Sequence, residues 1–216
     1  MNFFLFAILS YLLGSINGAQ FMHHLFRMKF PRHITRVGTK NAGAQNIWMS
    51  IGKAPGAVVF LIDSAKGAIV IVLGLMLGFD GAALIVFGAF AIAGHNWPLF
   101  FHFRGGRGFA TLIGIFFAFN LWVAIIAGLA SLPFGIFRYA GITPFVFLLV
   151  GSIAFYSTFG MQIVGAYIFI AVVLYAKRIY AEWSELKKAR NKMKIFKNLL
   201  LYDRATGDPP ALHELW

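Results

Sequence analysis

The sequence predicts an all-α polytopic membrane protein with about seven transmembrane helices, some of them short or broken. Three observations support this fold class. Of the 216 residues, 60% are hydrophobic and 12% are charged, whereas about a quarter of the residues in soluble domains are charged. Apolar runs follow one another along most of the chain. When seven such runs alternate across a membrane, all but Lys66 of the 19 lysines and arginines fall on one side.

The seven apolar runs differ in length. A full span needs about 20 residues, so the third and fourth runs are short. Short segments on both sides of a glycine-rich loop are typical of broken helices that border a cavity inside the membrane. In chain order, the runs cover residues 2–26, 55–78, 82–94, 109–119, 121–137, 142–159 and 162–176.

The distribution of lysine and arginine predicts the orientation. Positive charge is retained in cytoplasmic loops, so we expect the N-terminus outside and the C-terminus in the cytoplasm. The first run lacks a basic leader and is too long for a cleaved signal, so it is interpreted as a retained span. The chain then divides into a membrane domain (residues 1–178) and a basic cytoplasmic tail (residues 179–216).

The tail has an amphipathic pattern. Apolar residues such as Trp183, Phe196 and Leu200 alternate with lysines, which predicts a helix lying on anionic lipid. A clamp over a functional site is the alternative. Asp208-Pro209-Pro210 then predicts a disordered end. The net charge of +12 is attributed to this tail and the cytoplasmic loops, not to nucleic-acid binding.

Polar groups interrupt the first two runs. In Gly14-Ser15-Ile16-Asn17-Gly18, small residues predict close helix packing, and Asn17 is expected to bond to a neighbouring helix. Asp63 and Lys66 lie three residues apart in the second run, so they share one helical face. Ionised groups at membrane depth are costly unless they are paired or face water. This face should therefore point inward, as a structural ion pair or as part of a catalytic site.

Two loops are candidates for ligand binding. The glycine loop, Arg104-Gly105-Gly106-Arg107-Gly108, directly precedes the fourth run. Glycines let backbone amides approach an anion, a helix N-terminus adds positive charge, and guanidinium groups bind oxyanions. This pattern predicts a phosphate cradle, or else a turn whose arginines only set topology. The first loop (residues 36–46) lacks helical or strand periodicity and is either a ligand-covering loop or a connector.

Several kinds of chemistry lack support. The chain has no cysteine, which excludes disulfides and thiolate ligands. Its histidines lack the spacing of a metal site, and no Gly-x-Ser-x-Gly elbow is present. We therefore expect no metal and no cofactor. His95, just before the glycine loop, is interpreted as a hydrogen-bonded anchor or a base.

Together these motifs resemble the integral-membrane, acyl-phosphate-dependent glycerol-3-phosphate acyltransferases of bacteria, over residues 11–175. The most specific match is Gly94-His95-x-x-Pro98 followed by Phe103-Arg104-Gly105-Gly106-Arg107-Gly108-Phe109-Ala110-Thr111. Asp63-x-x-Lys66-Gly67 and Tyr11-x-x-Gly14-Ser15-Ile16 also match family motifs. Residues 38–46 form an altered version of the family's Gly-Ser-Gly-Asn-Pro-Gly-Ala-Thr-Asn.

The chain departs from the family at several polar positions. Arginines replace the family's usual lysines in the glycine loop, and Thr39 replaces an important serine. A family arginine falls on Met49, and an expected serine pair falls near Gly141. The C-terminal Arg-His-x-x-Asn signature falls near Lys177 and Tyr180, so its histidine and asparagine are missing.

The resemblance implies transfer of a fatty acyl group from acyl phosphate to sn-glycerol 3-phosphate, with the site facing the cytoplasm of a bacterial inner membrane. It implies catalytic roles for Thr39, Lys66, His95 and Arg107. It implies substrate binding by Asn41, Asn46, Asp63, Arg104, Gly105, Gly106, Gly108 and Thr111. Two alternatives stay open: a non-catalytic protein that binds a phosphorylated lipid or acyl phosphate, favoured by Met49, and a transporter of small anions, weakened by the lack of an internal repeat.

Overall fold

The computed structural model describes residues 2–26, 34–36, 38–137, 139–188 and 191–203, and within these ranges the regular structure is entirely helical. Short 3-10 turns cover Ile34–Arg36, Leu99–Phe101 and Gly160–Ile163. The α-helices are α1 (Phe3–Gly14), α2 (Gly18–Leu25), α3 (Ala44–Ser50), α4 (Lys53–Met76), α5 (Gly81–Asn96), α6 (Phe109–Phe119), α7 (Leu121–Ile136), α8 (Thr143–Phe159), α9 (Val164–Ala181), α10 (Trp183–Lys188) and α11 (Lys192–Tyr202).

Four stretches are long and apolar enough to cross a membrane: Phe3–Leu25, Lys53–Met76, Gly81–Phe101 and Val164–Ala181. Helices α6, α7 and α8 are apolar but shorter. The all-helical prediction is therefore confirmed for the described chain, with several helices suited to a membrane. The seven-span count and the external N-terminus stay predictions.

The first predicted run consists of two helices. α1 ends at Gly14 and α2 begins at Gly18. Asn17 starts the second helix, because its side-chain oxygen accepts a hydrogen bond from the Gln20 amide at 2.9 Å, which is the bonding of an N-cap. The Asn17 side-chain nitrogen donates to the Ala42 carbonyl at 3.3 Å. Its tertiary partner is thus the first loop, and the expected bond to a neighbouring helix was wrong.

The third run is not short, and that prediction was wrong. α5 extends to Asn96, and with the following 3-10 turn it forms a 21-residue stretch. Sequence hydropathy ended the run too early because His95 and Asn96 are polar, although both are buried in the last turn of the helix. The short fourth run is confirmed, since α6 has the predicted bounds.

Two further elements differ from expectation. The seven-residue α3 lies within and after the first loop, and a helix of this length is too short to give a clear period. The tail forms two helices, α10 and α11, where one was expected, and α9 continues past residue 178 to Ala181. Asp208-Pro209-Pro210 lies outside the described residues.

Glycines bring two pairs of helices into close backbone contact. A Cβ atom on Gly14 or on Gly94 would clash with the facing backbone of α5 or α1. A Cβ atom on Gly67 or on Gly114 would do the same between α4 and α6. α1 is thereby held against α5, and α4 against α6, which confirms the predicted close packing at Gly14.

Candidate active site

A cavity of about 250 Å³, lined by apolar and charged residues, lies where the first loop, the glycine loop and the end of α11 meet. Its wall draws on helices that are distant in sequence, including α4, α6, α9 and α11. The lining residues are Asn41, Gly43, Ala44, Gln45, Phe60, Asp63, His95, Arg107, Gly108, Phe109, Ala110, Gly135, Ala140, Thr143, Arg178 and Asp203.

Asp63, Lys66 and His95 form a buried group that we call the inner ionic cluster. The Lys66 Nζ atom lies 2.9 Å from Asp63 Oδ1 and 2.8 Å from His95 Nδ1. It also donates to the Ile16 carbonyl, in the break between α1 and α2, at 2.8 Å. The exposed fraction of these three charged or titratable residues is 5% or less. The predicted inward face carrying Asp63 and Lys66 is confirmed.

This geometry limits what the inner ionic cluster can do. An ammonium group has three N–H donors, and the three contacts of Lys66 account for all of them. Lys66 therefore has no donor left for a ligand and acts as a structural cation. An ammonium cannot accept, so His95 Nδ1 is the acceptor and the neutral imidazole carries its proton on Nε2. In this tautomer Nε2 carries the N–H donor of the ring.

Asp63 lines the cavity and has one unpaired oxygen. Its Oδ1 is taken by Lys66 and lies 3.5 Å from the Gly18 amide nitrogen. Its Oδ2 is buried and has no hydrogen-bond partner among the described residues. Leaving a buried acceptor unpaired costs about 1–3 kcal/mol. A residue of the cavity lining thus carries an unsatisfied hydrogen-bond acceptor.

The glycine loop packs directly on the inner ionic cluster. The Gly106 amide donates to the His95 carbonyl at 3.1 Å, and a Cβ atom on Gly106 would clash with His95 Nε2. A Cβ on Gly105 would clash with the His95 carbonyl. Gly108 has a positive φ of 79° and is the N-cap of α6. Gly105 and Gly106 therefore allow close packing on His95, while Gly108 turns the chain so that α6 begins at the cavity.

Arg107, Arg178 and Asp203 form a second group, which we call the outer ionic cluster. Arg107 Nη1 lies 2.7 Å from Asp203 Oδ2, and Arg178 Nε lies 3.1 Å from Asp203 Oδ1. Glu182 Oε1 lies 3.9 Å from Arg107 Nη2. The side chains of Arg107 and Arg178 are 12% and 3% exposed. One carboxylate from the C-terminal helix thus joins two guanidinium groups on the cavity wall.

Asn46 organises the first loop. Its side-chain nitrogen donates to the carbonyls of Ile34 and Asn41, each at 2.9 Å. Its side-chain oxygen accepts from the Thr39 amide at 2.9 Å and from Ser50 Oγ at 3.2 Å. Residues 38–46 are therefore ordered by the Asn46 side chain, which holds Asn41 at the cavity.

The structure brings five of the predicted site residues to the cavity: Asn41, Asp63, His95, Arg107 and Gly108. Thr39, Asn46, Lys66, Gly105, Gly106 and Thr111 lie behind this wall, and Arg104 is exposed at the surface with its carbonyl accepting from Gln20 at 2.7 Å. In the part of the chain that the structure describes, no three His, Asp or Glu side chains gather as metal ligands.

Among the cavity residues that the sequence analysis missed, two are charged. Arg178 lies on α9, next to Lys177 in the region of the lost family signature. Asp203 lies at the end of α11. The available signal was weak: Asp203 is one of only seven acidic residues in a strongly basic chain. Their pairing joins α6, α9 and α11, which no local pattern encodes.

The fold and the cavity define an all-helical integral membrane protein in which ionic groups wall a cavity between helices. The family described as glycerol-3-phosphate acyltransferase matches residues 4–192. The chain is 36% identical over 211 residues to glycerol-3-phosphate acyltransferase 5 of Dehalococcoides mccartyi, covering 94% of this chain and 88% of that one. It is 34% identical over 180 residues to a glycerol-3-phosphate acyltransferase of Francisella tularensis subsp. holarctica, covering 82% and 87%. The chain belongs to the glycerol-3-phosphate acyltransferase family.

Solved structures agree with this assignment. The crystal structure of PlsY, an integral membrane glycerol 3-phosphate acyltransferase, in its glycerol 3-phosphate form has a TM-score of 0.70 and 28% identity, covering 86% of this chain and 90% of that one. Its lysophosphatidic acid form has a TM-score of 0.67 and 26% identity, covering 90% and 98%. The resemblance stated from the sequence motifs is confirmed.

Proposed function

We propose that this protein transfers a fatty acyl group from an acyl phosphate to sn-glycerol 3-phosphate. The hydroxyl oxygen of glycerol 3-phosphate attacks the acyl carbonyl carbon, and the bond from that carbon to the phosphate oxygen breaks. The products are 1-acyl-glycerol 3-phosphate and inorganic phosphate, which takes the hydroxyl proton in the overall balance. The acyl phosphate is already activated, so the reaction needs no covalent enzyme intermediate.

One observation carries this proposal. A single cavity is lined by Arg107, Arg178 and Asp63, and the buried Oδ2 atom of Asp63 has no hydrogen-bond partner among the described residues. Both proposed substrates carry phosphate, which guanidinium groups bind through paired hydrogen bonds. The acceptor also carries a hydroxyl, which needs a hydrogen-bond acceptor to orient it. The cavity offers both kinds of group to the two functional parts of glycerol 3-phosphate.

The cationic part of the wall is assigned to phosphate. Arg107 faces the cavity beside Gly108, where α6 begins, and a helix N-terminus adds favourable partial charge. Cations placed where phosphate accumulates negative charge stabilise its departure. Arg104 is exposed at the surface, so its role in our proposal is to attract the anionic substrates toward the cavity.

The remaining site residues position these groups. Lys66 holds Asp63 and His95, so that Asp63 Oδ2 accepts from the substrate hydroxyl and His95 Nε2 supports the glycine loop. Asn46 orders the first loop and thereby presents Asn41. Thr39 and Thr111 belong to the supporting layer behind the wall, since neither lines the cavity.

We further propose seven spans in a bacterial inner membrane, with the cavity on the cytoplasmic side. The excess of lysine and arginine in the loops and tail supports this orientation. α11 exposes Met193 and Phe196 together with lysines, which suits contact with anionic lipid. The acyl chain of the donor and product would then lie among apolar helices and reach the bilayer directly.

The decisive experiment is an acyl-transfer assay. Purified protein in lipid receives palmitoyl phosphate and radiolabelled glycerol 3-phosphate without coenzyme A, and an Arg107→Ala variant serves as control. We expect labelled lysophosphatidic acid from the unaltered protein and almost none from the variant. Absence of labelled lipid from protein that still binds palmitoyl phosphate would overturn the proposal.

A further inference from the structure

The carboxylate of Asp203 occupies the kind of position that a phosphate group would take. Its two oxygens contact two different arginines, at 2.7 Å from Arg107 Nη1 and 3.1 Å from Arg178 Nε. The Arg107 contact is a hydrogen bond, whereas Arg178 Nε and Asp203 Oδ1 form an ion pair that is not aligned as a hydrogen bond. Phosphate oxygens accept hydrogen bonds from guanidinium groups, as carboxylate oxygens do. All three residues line the cavity, so the carboxylate already lies where a cavity ligand would contact both arginines.

The cations around Asp203 outnumber the carboxylates, which favours binding of a more highly charged anion in its place. Arg107 and Arg178 lie close to Lys177, whose ammonium is 5.5 Å from the centre of the Trp97 ring and whose side chain is buried. Against these three cations stand Asp203 and the more distant Glu182. Displacing Asp203 by a phosphate dianion brings more negative charge to the same two guanidinium groups, which strengthens the interaction.

The helix that carries Asp203 is attached mainly by its last turn. Gly141 donates its amide to the Leu201 carbonyl at 3.1 Å, and the rings of Tyr139 and Tyr202 stack with centroids 5.5 Å apart. By contrast, Met193 in the first turn of α11 is 74% exposed. Asp203 also has a left-handed φ of 61°, which only Gly, Asn and Asp adopt readily. The contacts of this last turn, which include the buried Leu199 and the close approach of Gly141, are therefore the ones that release of Asp203 must break.

We propose that Arg107 and Arg178 form one phosphate-binding site, and that Asp203 occupies it as an internal competitor until a substrate phosphate displaces it. This inference rests on the proposed function, because it assigns the displacing phosphate to one of the two substrates. Arg178 then binds substrate directly, and α11 acts as a latch that opens when the cavity fills. The displacing group is a phosphate monoester or an acyl phosphate, and the experiment below distinguishes them.

The test uses Asp203→Asn in the full chain. Asparagine keeps the shape of the side chain and tolerates the left-handed backbone, but it removes the competing charge. Binding of inorganic phosphate is measured by calorimetry, without turnover. We expect the dissociation constant to fall about tenfold in Asp203→Asn, since one charge-assisted competitor is lost. Asp80→Asn is the matched control, because Asp80 is exposed, does not line the cavity and makes no capping bond with its side chain.

A second pair of variants tests Arg178. In the Asp203→Asn background, Arg178→Gln should weaken phosphate binding at least tenfold, and Arg178→Lys should restore only part of it because lysine lacks the planar fork. Thermal unfolding of each variant identifies loss of folding. Unchanged phosphate binding in folded Arg178→Gln would overturn the two-arginine site.

Kinetics identify the source of the phosphate. If glycerol 3-phosphate displaces Asp203, its KM falls in Asp203→Asn while the KM for palmitoyl phosphate stays unchanged, and the reverse pattern assigns the site to the donor. Weaker phosphate binding by Asp203→Asn would mean that Asp203 positions the arginines, and unchanged binding would mean that it does not compete. Either result overturns the proposal. Failure of the unaltered protein to form lysophosphatidic acid would overturn the proposed function alone, since phosphate binding is measured separately.

Discussion

The two ionic clusters border the same cavity but are built in opposite ways. The inner ionic cluster joins Asp63 and Lys66, three residues apart on α4, to His95 on the neighbouring α5. The outer ionic cluster joins Arg107 to Asp203, which lies 96 residues further along the chain. In the inner cluster every donor of Lys66 is used within the protein. In the outer cluster two cations share one carboxylate from a helix held by its last turn.

This difference indicates that the inner cluster supports the structure, whereas the outer cluster can respond to a bound ligand. A fully bonded buried pair costs several kcal/mol to break, so the inner cluster keeps one arrangement. In the outer cluster, a ligand anion can take the place of the Asp203 carboxylate on the two arginines. The cluster then has two accessible arrangements, one with Asp203 bound and one with the ligand bound, and a switch requires two such arrangements. We therefore expect mutations of the inner cluster to change stability first, and mutations of the outer cluster to change substrate binding first.

The largest effect should come from breaking the inner cluster. Asp63→Asn leaves the buried ammonium of Lys66 without its counter-charge, which should reduce the free energy of unfolding by about 3–5 kcal/mol. Asp63→Leu combined with Lys66→Met removes both charges and should regain much of that loss. Thermal unfolding in detergent measures both, with Asp80→Asn as the exposed control. An unfolding temperature for Asp63→Asn equal to that of the control would contradict the structural role of the pair.

The second effect should appear in turnover alone. Arg107→Ala removes a cation from the cavity wall, and we expect kcat/KM to fall about 100- to 1,000-fold, as for loss of one group that stabilises developing charge. The unfolding temperature should change far less than in Asp63→Asn. Lys53→Ala, at the exposed start of α4, controls for loss of a positive charge. Retention of more than a tenth of the activity would remove Arg107 from the mechanism.

A third substitution tests the contact between the glycine loop and the inner cluster. Gly106→Ala places a methyl group against His95 Nε2 and the Ala42 carbonyl. Overpacking of this kind costs about 1–3 kcal/mol, and the displaced loop should also lower kcat. Gly128→Ala is the control, because a Cβ there meets nothing within 4 Å and alanine favours the helix by about 1 kcal/mol. Equal stability of the two variants would show that the loop is not packed on His95.

The smallest effect should come from Arg104→Ala. Arg104 is exposed, and we expect the KM for glycerol 3-phosphate to rise about two- to threefold at low salt through loss of long-range attraction. Because exposed charges are screened within about 8 Å at physiological ionic strength, the difference should disappear as salt is added. A salt-independent loss as large as that of Arg107→Ala would place Arg104 inside the site.

Most helix positions followed from hydropathy, because apolar runs report burial in lipid or in the core. α6 has the predicted bounds, and α7 and α8 begin or end within one residue of them. Hydropathy failed where a polar residue has a local structural role. Asn17 caps α2 inside the first run, and His95 and Asn96 are buried at the end of α5. Each of these side chains makes a tertiary contact that hydropathy does not report: Asn17 donates to Ala42, His95 contacts Lys66, and Asn96 donates to Val173.

The sequence predicted the site residues that lie close together in the chain, but not those that distant helices bring together. Asp63 and Lys66 share a helical face, and Arg107 lies in a recognisable glycine loop. Arg178 and Asp203 meet only because α9 and α11 converge on the start of α6. The prediction that loop amides form the phosphate cradle treated all the glycines alike, whereas the Gly106 amide bonds to His95. The sequence does not show which backbone amides are already hydrogen-bonded within the protein, and only the folded structure does.

The length of α7 has a consequence for the surrounding bilayer. Its 16 residues rise about 24 Å along the axis, less than the roughly 30 Å of a hydrocarbon core, and it exposes Trp122, Leu129 and Ile136. In the seven-span arrangement that we propose, such hydrophobic mismatch thins the adjacent leaflets or favours lipids with shorter chains. α7 also contributes Gly135 to the cavity wall. In that arrangement the headgroups beside α7 lie closer to the cavity, and the thickness of the host membrane controls access to it.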